Sequence, residues 1–179
     1  MRRRLCFVLW LAAGALALAQ GRGDDYLLEH EDTVFRETEG LEARANVLFR
    51  VMERRLTVLE YHHREAVKAK WGEYLKKDKW LGDLAEDSDV RMLQDYIKVL
   101  RQLLYMIDDG FAWNKGPTMY STLSKLKKKG EAYLAQIDLL LNVWQPDPAS
   151  RDALDQAQDM TRKAVAGAVK GLEQIDARR

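Results

Sequence analysis

An all-α fold, built as an elongated antiparallel bundle of about four helices behind a cleaved signal peptide, is what the sequence predicts. Three observations carry it. Only three prolines occur in 179 residues, and two of them share one turn, Gln145-Pro146-Asp147-Pro148. Between breakers, apolar residues recur at steps of three and four, the spacing that gathers them on one side of an α-helix. Alternation of the strand type, with a period of two, is nowhere sustained.

The first residues read as a leader. Arg2, Arg3 and Arg4 give a positive start, Leu5 to Leu18 form an apolar stretch, and Ala17 and Ala19 offer small side chains for cleavage. The stretch is shorter than the roughly 20 residues a membrane-spanning helix needs. The expected division is therefore a signal peptide at 1–19, an acidic N-terminal segment at 20–32 and a single helical-bundle domain at 33–179. Export to a periplasm or to the outside follows, with no transmembrane segment in the mature chain.

Cleavage changes the chemistry available. Cys6 is the only cysteine and leaves with the leader. Disulfides, thiolate metal sites, a cysteine nucleophile and covalent haem attachment are thereby excluded from the mature chain. With no Asn-x-Ser/Thr acceptor in the sequence either, a bacterial envelope suits it best. The 29 Lys and Arg fall to 26 against 28 Asp and Glu, a balance of 26 − 28 = −2. Nucleic acid is not an expected partner, because phosphate binding draws on surplus positive charge.

The helices follow in order. A first long helix is expected from about Asp32 to Lys79, with a seam through Leu41, Ala45, Leu48, Met52, Leu56, Leu59, His63 and Ala66. Acids crowd its start and lysines its end, as the helix dipole favours. A bend or break is expected near Gly40 or Gly72. Trp80 to Asp87 is a connection, and Ser88 or Asp89 caps a second helix with Leu93, Ile97, Leu100, Leu104 and Ile107 inward. Gly110 is expected to stop it. A third helix after Pro117 carries the cleanest seam: Met119, Leu123, Leu126, Gly130, Tyr133, Ile137, Leu140 and Trp144. Asp147 caps the fourth, with Pro148 in the first turn, where a missing N–H costs nothing. Its inner face is small: Leu154, Ala157, Ala164, Ala168, Leu172 and Ile175, with Gly167 and Gly171 alongside. Seams of this kind favour nearly parallel helix axes.

Candidate chemistry is sparse. Glu60, His62 and His63 place a carboxylate and an imidazole at the Glu-x-x-His spacing that helical di-iron proteins use, but those proteins need it twice, with two more glutamates. His30 is the only other histidine. His63 is thus expected as a boundary histidine, with a metal or small-ligand site at Glu60, His62 and His63 as the alternative. Asp108 and Asp109 read as part of a turn before Gly110, a bound cation being the other reading. Phe111 and Trp113 plug the end of the bundle or form a contact patch. Lys125, Lys127, Lys128 and Lys129 form a solvated basic run that could also meet an acidic partner.

No nucleophile constellation or phosphate loop is present, so no catalytic residue is assigned, no enzyme is expected and no cofactor is expected. The leading expectation is an exported protein-interaction, chaperone-like or envelope-associated factor. Phe111, Trp113 and the Lys125–Lys129 run would be its contacts, and the extra length of the first helix would be covered by a second copy in a homodimer. The alternative function is a metal- or small-ligand-binding bundle.

Overall fold

The computed structural model describes residues 26–113 and 116–177, with side chains of the second long helix described through Phe111. The expected leader and the side chain of Trp113 lie outside the described residues. Those residues are all-helical: α1 (Glu29–Glu37), α2 (Leu41–His63), α3 (Glu65–Lys68), α4 (Trp71–Lys77), α5 (Leu81–Leu84), α6 (Asp89–Trp113), α7 (Pro117–Val143) and α8 (Pro148–Asp176). None of these helices is long and apolar enough to cross a membrane.

Four long helices carry the core. α2 lies beside α6 and α7, α8 also lies beside α6 and α7, and α6 and α7 oppose each other diagonally. Side-chain contacts fix the directions. Gly110, late in α6, faces Leu41 at the start of α2, so these two run antiparallel. Tyr133 of α7 donates its hydroxyl to the carbonyl of Phe49 at 3.0 Å, and Lys125 reaches Glu42, so α7 runs with α2. Gly130 faces Val165 and Gly171 faces Leu123, so α8 returns along α7.

The seams are the reason these helices associate. Leu48, Met52, Leu56 and Leu59 of α2 are fully buried, as are Leu93 and Leu103 of α6 and Ile137 and Leu140 of α7. Each such side chain stabilises by roughly 1.5–3 kcal/mol relative to exposure. Polar groups that enter the core find partners. Tyr96 donates to Thr161 Oγ1 at 2.7 Å, and the Thr161 hydroxyl donates onward to the Ala157 carbonyl at 2.7 Å. The edge of one ring meets the face of the other where Tyr96 and Tyr133 pass, 6.1 Å between centroids.

The expected first helix, Asp32 to Lys79, is four helices instead. Gly40 breaks it at φ +82°, a left-handed conformation that glycine adopts without a Cβ clash. Arg64 breaks it again in an extended conformation. The break expected near Gly72 falls at Ala69 and Lys70, between α3 and α4, with Gly72 itself inside α4; Ala66, expected on the seam, is exposed beyond the end of α2. α2 therefore has 23 residues against 25, 27 and 29 for α6, α7 and α8. The excess length that motivated a covering second chain is absent.

Gly110 likewise does not stop its helix; α6 continues to Trp113. A Cβ there would stand 3.0 Å from Leu41 and 3.1 Å from Met119, so the missing side chain makes room where three helices meet. Asp108 and Asp109 consequently sit within α6 and not in a turn. The other termini follow local chemistry. Ser88 Oγ accepts from the Arg91 N–H at 3.3 Å, Pro117 opens α7, and Asp147 Oδ1 accepts from the N–H groups of Ala149 and Ser150 at 3.0 and 3.1 Å.

α1 runs through residue 32, the expected edge of the acidic segment, and is fastened by one carboxylate. Glu31 is 1% exposed and accepts from Arg55 at both oxygens, from Arg54 and from the Leu28 N–H. Arg54 also binds Asp78 and lies over the Trp80 ring, drawing the α4–α5 segment onto α2.

Candidate metal centre

His62 and His63 form the last turn of α2, where positive charge meets the negative end of the helix dipole. Asp89 is in the first turn of α6, where the opposite holds. Because α2 and α6 are antiparallel, these two ends meet. Ser88 takes the capping bond, which leaves the Asp89 carboxylate available to bridge both imidazoles. His62 Nδ1–H donates to Oδ1 at 2.7 Å, and His63 Nε2–H donates to Oδ2 at 3.0 Å.

Further contacts fix both rings. His62 Nε2–H donates to the Ala85 carbonyl at 2.9 Å, just past α5. Both His62 nitrogens thus face acceptors, and only the imidazolium satisfies both. The Asp89 hydrogen bond accordingly pushes His62 up from its ordinary value against the opposing effect of burial, with the Ala85 carbonyl assisting. Burial would push the Asp89 carboxyl up, but hydrogen bonds and charge from the two histidines outweigh it and hold it below the ordinary value. Trp144, the cap residue of α7, stacks flat on His63 at 4.1 Å. Tyr61 tilts toward His62 at 5.8 Å and stacks on Trp71 at 4.0 Å.

Among the described residues, His62, His63 and Asp89 bring three donor atoms within 4.8 Å of one another. Bonds of ~2.0–2.1 Å to a tetrahedral ion set donors about 3.3 Å apart, so the short histidine–carboxylate contacts must open and any pair wider than that, up to 4.8 Å, must close. His62 would keep Nε2–H on the Ala85 carbonyl and present Nδ1. Metal-bound histidines characteristically anchor their second nitrogen in this way.

Of the three residues expected to share a site, His62 and His63 come together, while buried Glu60 turns its carboxylate to Arg64 at 2.9 Å. Asp89 takes the carboxylate position. Its sequence signal was the Ser88-Asp89 pair, in which only one residue can cap the helix. Three of the expected contact residues, Phe111, Lys125 and Lys129, are engaged within the chain. Phe111 packs against the core. Lys125 binds Glu42 at 2.7 Å and Asn46 at 3.3 Å, and Lys129 binds Glu53. Lys127 and Lys128 are exposed. The chain matches no protein-family model, no curated protein and no solved structure in comparisons with each.

Proposed function

We propose that this is an exported metal-binding protein whose long helices form a four-helix bundle, with His62, His63 and Asp89 holding one divalent transition ion. The bridging of both imidazoles by Asp89 is the observation that carries this reading. Two imidazoles and one carboxylate suit zinc, copper, nickel or cobalt and serve magnesium or calcium poorly. The reading departs from the expectation that no cofactor is needed, and it is preferred to the interaction reading because Phe111, Lys125 and Lys129 are engaged within the chain. Export is supported by the Arg2–Arg4 start, the apolar stretch after it and the small residues Ala17 and Ala19.

Equilibrium dialysis of the purified protein against micromolar zinc, followed by elemental analysis, tests the binding. One ion per chain is expected, with His63→Ala and Asp89→Ala each weakening uptake by at least about tenfold. Absence of uptake, or uptake unchanged in both variants, overturns the reading.

A further inference from the structure

We propose, resting on the metal-binding reading, that the bound ion keeps a coordination position open for an imidazole-type donor from outside the chain. Three observations point to this. First, the described residues supply three donors, whereas structural zinc sites close with four. Second, the nearby groups able to serve as a fourth are already engaged: Glu60 with Arg64, Asp87 with Arg91 at 3.1 Å, and the Ala85 carbonyl with His62. Third, the donors reach solvent. The side chains of His62, His63 and Asp89 are 20%, 18% and 23% exposed, so an ion between them has an outward side.

The class of donor follows from the ion. An ion that selects two imidazoles over water selects a third on the same ground. No electron transfer or bond cleavage is involved: an incoming neutral nitrogen donates its lone pair and displaces a water molecule. The donor is either a small molecule or a histidine of a second copy, and the two give the same coordination.

Cobalt(II) titrated into the purified full chain reports the site through its visible absorption, and imidazole is then added. In a cobalt-loaded monomer the expected result is a saturating spectral change at one imidazole per bound cobalt, with the cobalt retained after gel filtration. Light scattering of the cobalt-loaded protein distinguishes the sources. A dimer that excess imidazole dissociates identifies the second copy, and a monomer that responds to imidazole identifies the small molecule. A cobalt-loaded monomer with an unchanged spectrum, a dimer that excess imidazole does not dissociate, or cobalt stripped by imidazole, overturns the proposal. Failure to take up cobalt overturns the underlying reading instead, so the two failures are distinct.

Discussion

Arg55 grips Glu31 at both carboxylate oxygens, Nη1 to Oε1 at 2.8 Å and Nη2 to Oε2 at 2.7 Å, with the two side chains 1% and 0% exposed. A forked guanidinium–carboxylate pair of this kind combines charge with two aligned hydrogen bonds. Its removal from one side strands a buried charge. Glu31→Ala is expected to cost about 3–5 kcal/mol in urea unfolding followed by circular dichroism. Replacing Glu31 and Arg55 together with leucine and methionine should restore much of that loss, because both charges of the fork leave together and Arg54 keeps Asp78. A loss below about 1 kcal/mol in Glu31→Ala would show that the fork contributes little.

How far this pair and the metal centre could be read from sequence is a question of distance along the chain. The cap at Asp147, the opening of α7 at Pro117 and the seam from Met119 to Leu140 are decided by neighbours within four residues, and they were legible. Arg55 lies 24 residues from Glu31, and His62 lies 27 from Asp89. Such pairs exist only after Gly40 and Arg64 have turned the chain. Gly40 announces its turn by residue type. Arg64 does not: nothing in its residue type favours the extended backbone it adopts. Gly110 misled for the converse reason, since the close approach of Leu41 and Met119 uses glycine for space and not for a break.

Two glycines on facing helices should respond oppositely to alanine. A Cβ at Gly130 would stand 2.5 Å from Val165 Cγ2, closer than such atoms approach, so α7 and α8 must separate or Val165 must leave its rotamer. Overpacking of this sort costs about 1–3 kcal/mol, against a gain of about 1 kcal/mol in helix propensity. Gly130→Ala is therefore expected to lower the unfolding temperature. A Cβ at Gly167 meets nothing within 4 Å, so Gly167→Ala keeps the propensity gain of about 0.5–1 kcal/mol and raises it. Differential scanning calorimetry of both variants checks the sign, and the same sign in both contradicts the packing argument.

Tyr96 and Thr161 offer a cleaner measurement of one buried hydrogen bond. The Thr161 proton is committed to the Ala157 carbonyl, so Tyr96 is the donor to Thr161 Oγ1. Burial pushes the Tyr96 phenol up from its ordinary value, keeping it protonated across the accessible pH range. Tyr96→Phe removes the donor without emptying the space and is expected to cost about 1 kcal/mol. Tyr96→Phe combined with Thr161→Val should cost less than the sum of the singles, as double-mutant cycles register coupled groups. Strict additivity would mean that the bond contributes nothing.

The pH dependence of stability turns on Asp95, which lies 7% exposed in α6. Burial pushes its carboxyl up to about 6, and the charges of Arg55, Arg91 and Lys98 only partly counter this. Between the ordinary value of 3.8 and about 6, the folded chain holds a proton that the unfolded chain has released. Its contribution to stability is thus fully present below about pH 4 and lost as pH rises through about 6. Glu31 runs the other way. Burial alone would raise it, but Arg55, the Leu28 N–H and Arg54 hold it below 4.5, so its contribution is present above that value and lost on acidification. Asp95→Asn removes one of these opposed trends and leaves the other. The variant is expected to exceed the parent by about 1–3 kcal/mol at pH 7.5 and to converge with it near pH 4. Glu31 is common to both chains and cancels in the difference. Urea unfolding across that range checks it, and a difference that stays constant with pH would place the Asp95 proton elsewhere.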